Sequence, residues 1–366
     1  MTAQRPFRFG VNMVVPEFRS NWIEKCRRAE ELGFDVIGVA DHLGLPAPFP
    51  AMILAAEATE RVRLNTFVLN TAFYNPVLLA RDVAGADQFT DGRVELGLGA
   101  GYVQAEFEAA GIPFESGSKR VDHLEQTVIT LRRLFADPEY QPQPAQPSGP
   151  PVLIGGWGDR LLAVAARHAD IIAFTGAAAA RNGGPLQMAG LAETEERVAY
   201  VRELLGPRLD KVEFNILVQR VVPPAERASV LEVFGPALPP DVADSPEDHP
   251  ILLMGTPKEM ADRLRDRRDR YGITYVTVLE DSMEKLAPRK APGGGPGGGR
   301  GDMGGRHPGK KKPGPRVGGG CFWGRFVPVR LFRLCFFYWG VRCPLWPWAP
   351  PVRPRCVIPG ANFSML

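Results

Sequence analysis

The sequence predicts an α/β fold, a (β/α)8 TIM barrel over residues 1–287, followed by a low-complexity tail over 288–366 that is expected to be disordered. Eight short apolar segments alternate with helix-like segments through the body, which is the order of elements in such a barrel. No G-x-G-x-x-G motif follows the first apolar segment, which argues against an open dinucleotide-binding sheet. In a barrel the carboxyl ends of all strands form one face, and that face carries the chemistry.

The eight apolar segments are short and bounded by glycine, proline or polar residues, as expected for buried parallel strands. They are Phe7–Val15, Asp35–Ala40, Val62–Leu69, Arg93–Leu98, Val152–Ile154, Asp170–Phe174, Val212–Val222 and Ile273–Leu279.

Helix-start signals lie between these segments. Ser20 is predicted to cap the first helix, and Asn75 caps a helix that has Pro76 at its first position. Thr256 and Glu259 form the pattern of a capping box. These signals divide the body into the helices that a barrel needs around its strands.

Charge and composition change abruptly near Pro288. Residues 1–286 carry 30 Lys and Arg against 40 Asp and Glu, a net charge of −10. Residues 287–366 carry 14 Lys and Arg against one acid, with 17 Gly and 13 Pro. The overall charge of +3 is therefore the sum of an acidic body and a basic tail, and it does not indicate a nucleic-acid-binding protein.

The tail has no helical or strand period, and its glycine runs oppose both structures. A basic, glycine-rich segment with aromatics is compatible with RNA binding, and its Phe and Trp residues with a membrane surface. The near absence of acidic residues instead favours another interpretation. The tail has the composition that a GC-rich gene gives when it is translated in a wrong reading frame. We therefore expect neither a nucleic-acid nor a membrane partner, and the four tail cysteines lack the C-x-x-C pair of a zinc site.

Cys26 is the only cysteine of the body, which is typical of a protein from a reducing compartment. The first residues lack the apolar core of a secretory signal, and no body segment reaches the length of a membrane span. The expected location is the cytoplasm.

Polar and glycine residues at the predicted strand ends are the candidate site. Asp41 and His42 end the second strand, and glycine clusters before helices leave backbone N–H groups that suit a phosphate. The alternative is that these glycines only form tight turns. The candidate site residues are Asp41, His42, Leu69, Asn70, Thr71, Gly99, Gly101, Tyr102, Gly155, Gly156, Gly158, Thr175 and Gly176.

No metal site is predicted. His123 and His168 lie singly in helical segments, where histidine is usually a packed or solvated residue, and the chain has no H-E-x-x-H, Walker or G-x-S-x-G motif.

Several segments together resemble the luciferase-like flavin and deazaflavin oxidoreductases, and most closely the actinobacterial members that use coenzyme F420. The resemblance covers nearly all of residues 7–287. The segments are GFDVIGVADHLG (33–44), TFVLN (66–70), NPVLLARDVAGADQFTDGRVELGLGAGY (75–102), EFEAAGIPF (106–114), RVDHLEQTV (120–128), PPVLIGGWG (150–158) and ADIIAFTG (169–176).

The resemblance implies that the cofactor ring lies near Asp41 and His42 and that its phosphate lies by the glycines at 155–158 and by residues 175–176. It also implies a non-proline cis peptide within 69–71. Relatives have tryptophan where Tyr102 stands, followed by asparagine where this chain has Val103. Glu106 and Arg120 match positions that resemble a structural ion pair.

The function that the resemblance implies is F420-dependent hydride transfer to or from a small organic substrate. The apolar and aromatic content of the loops at 73–74, 102–107 and 177–189 indicates that this substrate is fairly hydrophobic. His42 is the candidate general acid or base, and Asp41 is expected to orient it or to contact the cofactor. Two alternatives stay open: an FMN-dependent monooxygenase that uses reduced flavin and oxygen, and a cofactor-binding protein without turnover. Relatives are often dimers, so a homodimer is possible for this chain too.

Overall fold

The computed structural model describes residues 5–179, 186–235, 238–242 and 244–287. Within these ranges, eight parallel strands form a closed barrel surrounded by helices, which confirms the predicted fold class. We label the barrel strands β1 Arg8–Met13, β2 Val36–Val39, β3 Arg63–Thr66, β4 Val94–Gly99, β5 Val152–Gly156, β6 Ile171–Phe174, β7 Glu213–Val218 and β8 Ile273–Leu279. The predicted tail, 288–366, lies outside the described residues.

Hydrogen bonding closes the barrel between β3 and β4. The other strands pair in the order β3-β2-β1-β8-β7-β6-β5-β4, and Leu64 of β3 then pairs in parallel with Val94 of β4. Closure removes free strand edges and brings all carboxyl ends to one face.

Helices cover the outside of the barrel. In the described residues they are α1 Arg19–Glu31, α2 Pro48–Ala58, α3 Pro76–Phe89, α4 Gln104–Ala110, α5 Gly117–Ala136, α6 Asp159–His168, α7 Leu191–Leu205, α8 Arg227–Phe234, α9 Pro257–Tyr271 and α10 Met283–Leu286. None of these helices is long and apolar enough to cross a membrane.

Two of the three predicted helix caps are confirmed. The Asn75 side chain accepts from the backbone N–H groups of Val77 and Leu78, and Thr256 forms the complete capping box. The prediction for Ser20 is wrong, because α1 begins at Arg19 and places Ser20 in the first turn, where its hydroxyl bonds to a neighbouring side chain.

Some local structure was not predicted. The helices α4 and α8 lie in segments without a clear apolar period. Residues 220–222 pair in parallel with 252–254, beside the barrel mouth. Residues 177–179 pair antiparallel with 186–188, and 180–185 lie outside the described residues.

A buried ion cluster closes the amino end of the barrel. Arg8 contacts Glu95 at 2.5 Å and Glu213 at 2.6 Å, and Arg63 contacts Glu95 at 2.7 Å. The guanidinium of Arg8 also lies over the ring of Tyr275, 4.6 Å from its centroid. Burial raises the pKa of Glu213, and the Arg8 cation opposes that shift. These side chains therefore fill the amino end of the barrel.

The seam between β3 and β4 leaves no space for a side chain at position 97. The Thr66 hydroxyl donates to the carbonyl of Gly97 and accepts from its N–H, both at 2.9 Å. A Cβ on Gly97 would lie 1.8 Å from the Thr66 carbonyl oxygen, which is backbone and cannot rotate away. By contrast, a Cβ on Gly85 in α3 would meet nothing within 4 Å.

Gly97→Ala is therefore expected to lower the free energy of unfolding by about 3 kcal/mol, because the seam must open to admit the methyl group. Gly85→Ala, the matched control, is expected to raise it by about 0.5–1 kcal/mol, since alanine favours a helix interior. Urea unfolding followed by circular dichroism measures both. Equal stability of Gly97→Ala and wild type would contradict this account of the seam.

A buried histidine positions the chain segment above the barrel mouth. His249 is fully buried, its Nδ1 accepts from the N–H of Ile251 at 3.2 Å, and its carbonyl accepts from Arg267. Burial and the Arg267 cation lower the pKa of His249 to about 4, so the imidazole is neutral in the folded protein. Asp241 acts in the opposite direction, but its effect is smaller.

This burial predicts a loss of stability in acid. Between pH 6.5 and 4 the unfolded chain binds a proton at His249 that the folded chain does not, so stability falls as pH is lowered. The expected contribution is about 3 kcal/mol, complete above pH 6.5. His249→Asn, which keeps an acceptor for Ile251 but does not titrate, should flatten that part of the pH dependence in urea unfolding. An unchanged slope in the variant would exclude His249 as its source.

Candidate active site

A cavity of about 450 Å³ opens at the carboxyl end of the barrel. Every barrel strand except β8 contributes to its wall directly or through the loop that follows it. This volume is within the range of sites for small organic ligands and cofactors. The cavity therefore lies where the sequence placed the chemistry, at the strand ends.

The structure brings most of the predicted site residues together. Eleven of the thirteen line the cavity, namely Asp41, His42, Leu69, Asn70, Gly99, Gly101, Tyr102, Gly155, Gly156, Gly158 and Thr175. Thr71 and Gly176 lie behind the wall. The Thr71 hydroxyl donates to the carbonyl of Gly99, and Gly176 packs against Ile251.

His42 and Glu106 form a hydrogen-bonded pair in the cavity wall. His42 Nδ1 lies 2.8 Å from Glu106 Oε1, and the side chains are 19% and 16% exposed. The ring of Tyr102 meets the imidazole edge to face, with 6.3 Å between centroids. An ionised carboxylate only accepts, so when Glu106 is ionised Nδ1 donates to it and Nε2 is left to exchange a proton. The pair is therefore arranged to accept or return a proton.

The predicted ion pair between Glu106 and Arg120 is wrong. Glu106 lies in the first turn of α4 and reaches His42, whereas Arg120 lies in α5. Arg120 donates instead to the carbonyls of Gly101 and Glu115, and its guanidinium lies over the ring of Phe114. The helix α4 explains the difference, because it turns Glu106 toward the cavity.

Asp41 holds the backbone rather than the imidazole. Its Oδ2 accepts from the N–H of Asn70 at 3.0 Å, and it also accepts a hydrogen bond from Tyr74. Burial raises the pKa of Asp41, while the bonds from Asn70 and Tyr74 oppose the shift. The side chain therefore ties the end of β2 to the turn after β3, and the hydrogen-bond partner of His42 is Glu106.

The cis peptide expected within 69–71 lies two residues earlier, between Phe67 and Val68. β3 ends at Thr66, sooner than its apolar pattern indicated, so the irregular backbone also begins sooner. Val68 lies against Gly99 and Gly155, where a Cβ would stand 2.7 and 3.4 Å from its methyl groups. Val68 therefore forms part of the cavity wall between two strand ends.

Several of the predicted site glycines have no room for a side chain. A Cβ would lie 2.3 Å from Asn70 at Gly101 and 2.1 Å from Leu161 at Gly156. Gly158 differs, because a Cβ there would meet nothing within 4 Å. Gly158 is also the N-cap of α6, and no side chain caps that helix. This helix start therefore keeps open space and backbone N–H groups for an anion.

Sequence reasoning missed several wall residues. Phe67 and Val68 read as a continuing strand, and Trp157 read only as part of a glycine turn. The Trp157 indole N–H donates to Glu193 Oε1 at 2.7 Å, and its ring packs edge to face on Phe174. Among the described residues, no group of three or more His, Cys, Asp or Glu could hold a metal ion.

Comparison with known proteins gives the family. The model of the luciferase-like monooxygenase family matches residues 6–202. A curated relative, an F420-dependent glucose-6-phosphate dehydrogenase from Intrasporangium calvum, is 36% identical over 126 residues, which is 31% of this chain and 38% of that protein. The chain thus spans less than two fifths of the length of this relative.

Solved structures share the fold at low identity. The F420-dependent tetrahydromethanopterin reductase from Methanopyrus kandleri has a TM-score of 0.61 at 17% identity, covering 78% of this chain and 98% of that one. A long-chain alkane monooxygenase has a TM-score of 0.60 at 14% identity, covering 78% and 91%.

The family model spans more than half of the chain, from the start of β1 into α7, and so includes six of the eight barrel strands and the His42–Glu106 pair. This chain therefore belongs to the luciferase-like monooxygenase family.

Proposed function

We propose that this protein is an F420-dependent oxidoreductase that transfers a hydride between the deazaflavin and a small organic substrate. The observation that carries the proposal is the His42–Glu106 pair in the wall of a cavity wide enough for a ring cofactor. Hydride transfer to or from a carbon that bears oxygen also needs a group that moves a proton, and this pair supplies one.

The residues of the cavity fit a deazaflavin phosphate. The uncapped start of α6 at Gly158 offers N–H groups to the phosphate, and the wall formed by Val68, Gly99 and Gly155 offers an apolar surface to a ring. The relative from Intrasporangium calvum is named as F420-dependent, which favours this cofactor. The sugar phosphate in that name is not carried over, because the match covers too little of either chain.

Each wall residue then has a defined task. The bound deazaflavin supplies a carbon, C5, that accepts or donates hydride as nicotinamide does. His42 exchanges the proton through Nε2, and the Glu106 carboxylate stabilises the imidazolium that this produces. Asp41 fixes the backbone at Asn70, so that the wall opposite His42 keeps its shape.

The second candidate is an FMN-dependent monooxygenase that takes reduced flavin and activates oxygen. The description of the family model and the fold shared with an alkane monooxygenase favour it. A proton-transfer pair in the wall serves either chemistry, so bound cofactor distinguishes the two.

His42→Ala is expected to lower turnover at saturating F420 by about 100-fold or more while F420 still binds, because only proton transfer is removed. Glu106→Gln should lower it by about tenfold or more, since the amide does not stabilise the imidazolium. The assay follows F420 absorbance with a panel of secondary alcohols and, in reverse, reduced F420 with ketones and enones.

His168→Ala is the matched control for this experiment. His168 forms a comparable pair with Glu125, with 3.0 Å between Nε2 and Oε1, but neither residue lines the cavity. Its loss should leave turnover unchanged. Equal turnover in His42→Ala and wild type would remove His42 from the chemistry. Oxygen consumption with reduced FMN, with no F420 reaction across the panel, would replace the proposed function by the second candidate.

A further inference from the structure

We infer that the substrate of this cavity is an uncharged, largely apolar organic molecule and not a carboxylate or a phosphate ester. The inference rests on the proposed function and adds the substrate class to it. Its basis is the charge of the wall, the state of the nearest cations and the apolar side chains around the mouth.

The charged groups of the wall have one sign. Among the described residues that line the cavity there is no lysine and no arginine, while Asp41 and Glu106 are both present. His42 is the remaining titratable base, and its Nδ1 is already bonded to Glu106. An anionic substrate would enter beside two acids with no cation to pair with, and burying an unpaired ion is strongly unfavourable.

Three basic side chains of the described residues, all on segments that follow strand ends, are engaged in other contacts. Lys25 contacts Glu17 at 3.0 Å and Glu280 at 2.9 Å. Arg120 does not line the cavity and donates to the backbone carbonyls of Gly101 and Glu115, and Arg220, which follows the wall residue Gln219, donates to the Gln219 carbonyl. Recruiting one of them for a substrate would break contacts that the structure already has.

The loops around the mouth expose apolar side chains on the side of His42. They are large and follow β1, β2 and β4, and their exposed fractions are 45% for Val15, 87% for Phe18, 51% for Leu43 and 43% for Tyr102. Strands β1 and β2 are neighbours, and Met13 pairs with Val39 at their carboxyl ends, so Val15 and Leu43 extend from the same edge. A grouped apolar surface of this kind suits an apolar ligand.

The test compares two ligands that differ by one carboxylate group. The probes are 1-phenylethanol and 4-(1-hydroxyethyl)benzoate, with glucose 6-phosphate as a second anion, titrated into the full-length protein saturated with F420. Isothermal titration should give a dissociation constant for 1-phenylethanol that is at least about tenfold lower than for either anion. Equal or tighter binding of an anion would overturn the inference, and so would binding of none of the three.

A gain of charge provides the converse test. Gln219 lines the cavity after β7 and is 7% exposed, so Gln219→Lys places a cation in the wall. This variant should bind the benzoate about tenfold more tightly than wild type, whereas Gln219→Met, the uncharged control, should not. Failure of the lysine to improve benzoate binding in a folded variant would argue against wall charge as the cause of selectivity.

Two substitutions of exposed residues test the contribution of the apolar mouth without altering the cavity wall. Leu43→Ser should weaken 1-phenylethanol binding about threefold, because apolar contact area is lost. Phe89→Ser is the matched control, since Phe89 is 69% exposed at the end of α3, at the opposite end of the barrel. Equal effects of the two substitutions on 1-phenylethanol binding would show that the apolar mouth does not contribute to it.

Quenching of F420 fluorescence, measured first, distinguishes failure of the proposed function from failure of the inferred substrate class. A protein that does not quench F420 fluorescence lacks the proposed function, and the substrate class falls with it. A protein that quenches F420 but prefers the anions keeps the proposed function and overturns the substrate class alone.

Discussion

The hydrogen-bonded seam between β3 and β4 is the contact that holds the site in place. There the Thr66 hydroxyl bonds both to the N–H and to the carbonyl of Gly97. The seam closes the barrel, and closure fixes the distance between the end of β2 and the start of α4. His42 and Glu106 come from these two places, so a barrel opened at the seam would separate them. Fold stability and the proton-transfer pair thus depend on the same backbone contact.

The acidic side chains at the two ends of the barrel differ in whether basic side chains balance them. At the amino end, the acids Glu95 and Glu213 are balanced by Arg8 in a filled layer. At the carboxyl end, Asp41 and Glu106 face the cavity with no arginine or lysine among its described wall residues. Acids with no cation beside them disfavour an anion, which suits a site that takes a neutral substrate. The uncapped start of α6 is the exception, and it is the part of the wall that we propose for a cofactor phosphate.

The sequence was sufficient for the barrel and for most of the cavity wall. Apolar runs that end in polar or small residues locate strand ends, and a closed barrel then brings these ends together, so Asp41 and His42 could be placed. The pairing of His42 with Glu106 could not, because 64 residues separate them and α4 lies in a segment without an apolar period. The bend after Thr66 was hidden for a similar reason, since Phe67 and Val68 read as more strand. Glycine clusters pointed to the right strand ends, and at Gly101 and Gly156 close packing leaves no room for a side chain.

Titration of F420 and of FMN into the full-length protein, followed by fluorescence quenching, tests the central claim most directly. The account predicts that F420 binds and that FMN binds at least about tenfold more weakly, the spread that 1.4 kcal/mol of binding free energy gives. Tighter binding of FMN would contradict the hydride-transfer assignment and favour an oxygen-using enzyme. Binding of neither by the folded protein would contradict the assignment of the cavity as a cofactor site.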